Sequence, residues 1–299
     1  MELSFLAYLR GRCRSLPQVK VGIGDDAAVL DPVKGLQCVT TDQIVEGTDF
    51  LPEHDRVDVG YKAMAVNLSD IAAMGARPTS AFVTLTLPKE NATQIAGEVY
   101  EGIFQAAVQF DVAIAGGDIT TYDGPLAISI TMLGEVSDGQ PWLRSGAKED
   151  DAIIVTGFVG GSILGRHLRP QPRVEVANRL RDMVDVHAAI DISDGFSLDL
   201  DRLCAASTVG ANLQLENMPI HDDAIILSAD SERTPMEHAW SDGEDFELIL
   251  TMTQADADKV LAEEFWVQMT QVGTIASRTG LWRQQRGKFE RMSPQGYSH

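Results

Sequence analysis

A chain of 299 residues with 44% hydrophobic content is long enough for two domains with separate cores, and its apolar segments recur regularly along the whole length. The formal net charge of −20 excludes a nucleic-acid backbone or an anionic membrane as the primary partner, and an anionic substrate must arrive with a metal ion or meet a local basic group. Three scattered cysteines, Cys13, Cys38 and Cys204, form no CxxC and leave one unpaired in any disulfide scheme. A cytoplasmic location is therefore expected, with no signal peptide in MELSFLAYLRGR and no run of membrane-spanning length.

The chain opens with a short amphipathic helix through Leu3, Leu6, Ala7 and Arg10, closed by Gly11. Alternation at Val19, Val21 and Ile23 predicts a strand that breaks at Gly24, and Asp25 and Asp26 follow in a loop with apolar neighbours. That pair is either a solvated turn or a metal site, and the glycines favour the metal reading by permitting close backbone approach. Residues 37–41 read as a strand delivering Thr41 and Asp42 at its end, a hydroxyl and a carboxylate suited to Mg2+. Residues 58–75, DVGYKAMAVNLSDIAAMG, have helical spacing that places Val59, Ala63, Val66, Asp70 and Met74 on one stripe. A carboxylate on such a stripe is costly unless a cation, a hydrogen-bond network or a raised pKa compensates it.

A strand at 81–87 precedes a helix over 92–109, with Ile95, Val99, Ile103 and Ala107 on one face and Tyr100 beside it. Tyr100 is either a plain helix aromatic or a ligand contact. A buried strand at 112–115 runs into Gly116-Gly117-Asp118, read as a turn whose N–H groups approach a phosphate while the Asp reaches its metal. Another strand covers 126–133. The text then changes near 139–146, which places the boundary between a domain at 1–140 and one at 141–299. Arg144 and Lys148 are a basic pair there, either linker charge or a phosphate clamp.

The second half begins with a strand at 152–156 and the glycines Gly157, Gly160 and Gly161, which lack the Lys-Ser/Thr of a Walker A and read as packing or a turn. Helical segments near 162–168 and 173–185 precede a buried strand at 188–192 that ends in Asp191-Ile192-Ser193-Asp194-Gly195, before a helix over 197–206. Ligands of α/β sheets bind at such strand ends. Asp194 could partly cap the helix, but capping does not explain Asp191. After a strand at 212–215, residues 217–240 resist assignment. Ser241-Asp242-Gly243-Glu244-Asp245-Phe246-Glu247 enters a strand at 246–252, followed by a helix near 254–264, strands near 267–275 and a hairpin in LWRQQRGKFERM.

So many carboxylates at strand ends and glycine turns would repel one another without divalent cations. No Ser or Cys has a base suggesting nucleophilic catalysis, and the histidines show no metal-ligand spacing. Metal-dependent handling of a nucleoside triphosphate fits, because phosphoryl transfer relies on Mg2+, hydrogen-bond donors and in-line positioning.

The motifs GIGDDAAVL, TTDQIVEGTDF, YKAMAVNLSDIAAMGARP, AGGDITT, RSGAKEDD, IDISDGFSLDL and GEDFELILT, in this order, resemble the thiamine-monophosphate kinase family. That family sits in the aminoimidazole ribonucleotide synthetase superfamily, with selenophosphate synthetase and the hydrogenase-maturation dehydratase as cousins. The resemblance implies an α/β (α+β) two-domain fold: an N-terminal mixed sheet with helices on one side that pairs in a homodimer, and a C-terminal α/β sandwich covering the ATP cleft. It implies ATP as co-substrate, several Mg2+ ions, and direct phosphorylation of thiamine monophosphate to thiamine diphosphate. By position, Asp26, Thr41, Asp42, Asp70, Asp118, Asp191 and Asp194 match metal ligands, and Tyr100, Gly117, Asp118, Arg144 and Ser193 match ATP contacts. Asp70, Asp118, Asp194 and Arg144 are accordingly expected to carry catalysis.

Glu244 matches a substrate-contacting acid, and Tyr297 the aromatic of a Gly-aromatic-x-His ending near the substrate. A cationic thiazolium suits both. One departure is Asp49 before Phe50, where the family usually has His; an ionised Asp only accepts hydrogen bonds, so the substrate contact there must change. The alternatives are another ATP-dependent reaction of the superfamily with a different acceptor, against which the GEDFEL turn and the tail argue, and a non-catalytic nucleotide-binding regulator.

Overall fold

The computed structural model describes residues 2–13, 16–23, 27–136, 138–285 and 288–297. Asp26 and His299 lie outside the described residues. The chain divides into two compact units, residues 1–71 with 76–141, and residues 142–299 with 72–75. Residues 72–75 join the second unit because Trp142 N–H donates to Met74 O, Arg181 Nε donates to Gly75 O, and the Trp142 ring lies 2.7 Å from where a Cβ on Gly75 would be.

The first unit comprises α1 (Glu2–Arg12), β1 (Val19–Val21), β2 (Val29–Leu30), β3 (Leu36–Val45), α2 (Arg56–Ala73), β4 (Arg77–Pro88), α3 (Ala92–Gln109), β5 (Ala113–Tyr122) and β6 (Ala127–Val136). Its main sheet has the order β3-β6-β4-β5, antiparallel except for β4 and β5, which α3 connects as a parallel pair. Period-two alternation gives the sheet a buried face with Val83, Leu85, Ile128 and Ile130 and an open face with Thr84 and Ser129. Helices α2 and α3 touch through their backbones. A Cβ on Gly60 would stand 1.9 Å from Val99 O, and one on Gly102 would stand 1.8 Å from Val57 O, so glycine at both positions sets the helix spacing.

Two expected strand ends turn out to be strand interiors. Pairing of β3 with β6 continues through Val45, leaving Thr41 and Asp42 in the middle of a ten-residue strand. Likewise Gly116-Gly117-Asp118 is a bulged stretch inside β5, in register with Phe82, Val83 and Thr84, and is not a turn.

The second unit contains β7 (Ala152–Thr156), α4 (Val174–Met183), β8 (Val186–Asp191), α5 (Phe196–Ser207), β9 (Gly210–Leu213), α6 (Asp222–Asp230), α7 (Pro235–Ser241), β10 (Leu248–Met252), α8 (Gln254–Ala262), β11 (Met269–Ala276), β12 (Gly280–Gln285) and β13 (Lys288–Met292). One seven-stranded mixed sheet runs β13-β12-β9-β11-β7-β10-β8. Every residue of β7 and β10 is buried, the mark of strands covered on both faces. Its core gathers Ile153, Val155, Ile190, Phe196, Leu200, Trp240 and Ile249. The segment at 217–240 is helical after all. Thr234 and Glu237 close a capping box at the start of α7 with Pro235 in its first turn, a signature written in the sequence. The expected helix near 162–168 is two short 3-10 turns, Ser162–Leu164 and Arg166–Leu168, with Gly165 between them.

Candidate functional site

In the first unit the strand phase of β3 decides which side chains meet α2. Thr40, Asp42 and Ile44 point to the buried face, and Asp70 comes down on them from α2. Thr40 Oγ1 donates to Asp70 Oδ2 at 2.5 Å. Burial, the negative charge of Asp70 and a hydrogen bond to it push the Asp42 carboxyl up to about 7. The side chains facing the acid on the apolar stripe are thus a hydroxyl and a second acid, the opposite of an ordinary ion pair. Asn67, one turn before Asp70, donates to Ala63 O and leaves its Oδ1 buried with no hydrogen-bond partner. Two clustered carboxylates, a hydroxyl and an orphaned amide oxygen make a hard, all-oxygen donor set of the kind that Mg2+ takes. Among the described residues there is no group of three or more His, Cys, Asp or Glu side chains placed to hold a metal.

The other expected ligands of this unit stand elsewhere. Thr41 is one residue out of phase, and its hydroxyl meets Thr131 Oγ1 at 3.0 Å and Ile130 O at 3.2 Å on the open side of the sheet. Asp118 is exposed and aligned through β4 and β6 with Thr84, Ser129 and Gln43, whereas the row of Asp42 runs through Ile130, Val83 and Gly117. The single chain therefore does not bring Asp118 to the Asp42–Asp70 pair. At Gly117, φ is +154° and a Cβ would stand 1.8 Å from Val83 O, so glycine is required by packing against β4. Tyr100 is only 2% exposed, with its ring 5.6 Å from that of Phe104. Its phenol pKa is raised by burial, and in this chain the ring offers no open face to a nucleotide. Asp49 is committed to its own turn. Its Oδ2 accepts from Val45 N–H at 2.7 Å, and the buried Lys62 donates to its carbonyl oxygen at 2.7 Å.

In the second unit β8 ends at Asp191, which is 4% exposed. The turn beyond it is gripped from α5. Asp199 Oδ2 accepts from the N–H groups of Ser193, Asp194 and Gly195 at 3.0, 2.9 and 3.1 Å. Asp199 reaches back from the first turn of α5 to the N–H groups of the preceding turn, so an anion position there is filled by the protein's own carboxylate, and no side chain caps α5 at Gly195. Burial raises the Asp199 pKa despite those N–H groups and Arg202. Arg202 Nη1 bridges Asp194 and Asp199, at 2.7 Å from Asp199 Oδ1.

Carbonyls of the same turn hold two further segments. Ser193 O accepts from Glu244 N–H at 2.7 Å, and Asp194 O accepts from Tyr297 N–H at 2.9 Å. Ser197 exchanges hydrogen bonds with the backbone of Gln295 at 2.8 and 2.9 Å. Ser193, Asp194, Glu244 and Tyr297, separated by up to about a hundred positions, are thus neighbours, with the Tyr297 side chain exposed. Arg144 is also exposed, and its carbonyl is held by Ser207 Oγ at 2.9 Å. Thr40, Asp199 and Arg202 escaped the sequence reading. The signal for Thr40 was strand phase, since Thr40 and Asp42 share a face and Thr41 does not; for the other two it was the acid in the first turn of α5 with an arginine three residues on.

Models of the AIR synthase related protein N-terminal and C-terminal domains match residues 24–136 and 139–281. Fold and site together define a two-domain protein of the AIR synthase related class. The chain is 60% identical to the thiamine-monophosphate kinase of Rhodopirellula baltica, covering all of this chain and 97% of that protein, and 36% identical to that of Escherichia coli K12, covering 100% and 98%. It belongs to the thiamine-monophosphate kinase family. Among solved structures, the thiamine-monophosphate kinase of Stenotrophomonas maltophilia K279a superimposes with a TM-score of 0.81 at 34% identity, covering 93% of this chain and 94% of that one. AaThiL, solved in complex with AMPPCP and TMP, gives 0.79 at 27% identity, covering 94% and 92%. Escherichia coli HypE, at 17% identity and a TM-score of 0.81, shares the fold.

Proposed function

We infer that this chain transfers the γ-phosphoryl group of ATP to the phosphate of thiamine monophosphate, giving thiamine diphosphate and ADP. The observation that carries the chemistry is the Asp42–Asp70 pair, two acids packed against each other on a helix–sheet seam, where ionisation of both is opposed unless a cation is bound. Mg2+, when bound there, neutralises and orients triphosphate oxygens. Asp42 and Asp70 are the residues that would hold it in the first unit, with Asp191 and Asp194 supplying carboxylates in the second, and Asp26 and Asp118 matching the family's remaining ligands. Thr40 keeps Asp70 oriented by its hydrogen bond. Arg202, bridging Asp194 and Asp199, fixes the turn that carries Ser193 toward the nucleotide. Arg144 supplies guanidinium donors for phosphate oxygens. Glu244 and Tyr297 present a carboxylate and an aromatic face to the thiazolium cation.

A homodimer agrees with β3, which is an edge strand of its sheet and leaves Val39 61% exposed. Asp118, which is exposed on the open face of the sheet, is accessible to a second copy. The cytoplasm agrees with Cys13, Cys38 and Cys204, none of which is joined in a disulfide. No helix among the described residues is long and apolar enough to cross a membrane. The test is incubation of the purified chain with Mg·ATP and thiamine monophosphate, followed by detection of thiamine diphosphate. Asp70→Asn is expected to abolish product with the fold retained, and near-full turnover by that variant would remove the acid pair from the reaction.

A further inference from the structure

The turn between α7 and β10 is strained. Glu244 and Phe246 have φ of +60° and +52°, a region in which a side chain as bulky as Phe is rarely found. Something must hold it. The residues alternating with them, Asp245 and Glu247, are carboxylates whose side chains are 0% and 4% exposed. Both are buried in the domain.

Each buried acid has a dedicated set of donors. Asp245 Oδ2 accepts from Gly160 N–H at 2.8 Å, and its Oδ1 accepts from Arg166 Nη2 at 3.1 Å. Arg166 is itself fixed by Gly160 O at 2.8 Å and Asp223 Oδ2 at 3.0 Å. Glu247 is gripped by both Nε and Nη2 of Arg173, with Nε to Oε2 at 2.6 Å, and by Thr156 Oγ1 at 2.6 Å. Gly157, with φ of +58°, leaves room for that carboxylate, since a Cβ there would lie 2.0 Å from Glu247 Oε1. The glycine-rich segment that resembles a phosphate loop is therefore a cradle for internal acids: Gly160 N–H binds Asp245, and Gly161 N–H binds Asp242 at 3.0 Å. Ser162 Oγ adds a bond to Gly243 O at 2.6 Å.

The clasped residues alternate with those whose backbone N–H groups join this turn to the one after β8. Glu244 N–H donates to Ser193 O at 2.7 Å, Phe246 N–H to Ile192 O at 2.8 Å, and Ile192 N–H to Glu247 O at 2.8 Å. We propose that Asp245 and Glu247, held by Gly160, Arg166, Arg173 and Thr156, are positioning residues that fix Glu244 in its left-handed conformation beside Ser193 and so set the affinity for thiamine monophosphate. This rests on the reading that Glu244 meets the acceptor. Loss of a clasp lets the turn relax from its strained backbone, which moves the Glu244 carboxylate.

The experiment measures kcat and both KM values for Asp245→Asn, Arg166→Lys and Glu244→Gln, with thermal melts to establish folding. Asp245→Asn is expected to raise KM for thiamine monophosphate by roughly 10- to 100-fold, with kcat at saturation and KM for ATP within about twofold, the pattern of a misplaced binding group. Arg166→Lys keeps the charge but loses the planar fork, so a smaller rise in the same constant is expected. Arg166 is 28% exposed in its side chain, so this variant decides the matter where Asp245→Asn does not fold. An unchanged KM for thiamine monophosphate in a folded variant, or a loss of kcat alone, overturns the proposal. Glu244→Gln separates the two claims. If it raises that KM while the clasp variants do not, the positioning role fails and the Glu244 contact stands; if it leaves KM unchanged, the contact itself fails.

Discussion

Replacing Asp42 by Asn in the metal-free protein should make it more stable and inactive at once. The carboxyl of Asp42 titrates near 7 in the folded chain against an ordinary 3.8, because burial and Asp70 both oppose its ionisation. Between about pH 4 and pH 7 the folded state therefore holds a proton that the unfolded state has released, so stability falls as pH rises through that window and levels off above it. At about 1.4 kcal/mol per pH unit the full difference is about 4 kcal/mol. Asp42 is only partly buried and its charge is shared with Asp70, so screening by water reduces the expected effect to ~2 kcal/mol. Asn resembles the protonated acid, since its amide donates to Asp70 without carrying charge. The assay is urea unfolding in EDTA from about pH 4 to about pH 8, the range spanning the titration. Asp42→Asn should match the wild type at the acid end and exceed it by ~2 kcal/mol at the alkaline end, where added Mg2+ is expected to stabilise the wild type and not the variant. Equal or lower stability of the variant at about pH 8 would refute the account of an acid pair held together against repulsion.

Strand phase yields a second prediction. Thr40→Val removes a hydroxyl donor to Asp70 and should weaken Mg2+-dependent turnover about tenfold, the scale of one hydrogen bond to a charged group, while Thr41→Val should stay within about twofold. Turnover titrated with Mg2+ checks this, and a larger loss at Thr41 would return that side chain to the metal site. For Asp49→His, loss of the bond to Val45 N–H should cost ~1 kcal/mol in urea unfolding, with KM for thiamine monophosphate unchanged. A lowered KM in that variant would put position 49 back among the substrate contacts.

Asp70 and the turn at 191–195 were legible because each breaks a local rule. A carboxylate on an apolar helix stripe and acids closing a buried strand have no ordinary explanation in packing. The boundary of β3 was not legible, since Thr and Asp inside a strand resemble its end, and only the ten-residue ladder with β6 carries the strand through them. The same holds for Gly116-Gly117-Asp118, where paired glycines mimic a turn but accommodate the close approach of β4. The start of α7, by contrast, is written in the sequence as a capping box at Thr234 and Glu237 with Pro235 in the first turn.

By itself the sequence determined the two-domain α/β class and the family, because periodicity, composition and acid-rich motifs are local properties of the chain. Only the tertiary structure decided which acids are neighbours. Strand register set Thr40 rather than Thr41 against Asp70 and put Asp118 on the open face, since a shift of one residue along a strand reverses the direction of every side chain. It also decided that the acids at 199, 245 and 247 serve the protein's own turns. What a carboxylate does depends on the donors that folding brings within about 3 Å of it, and those donors lie far away along the chain.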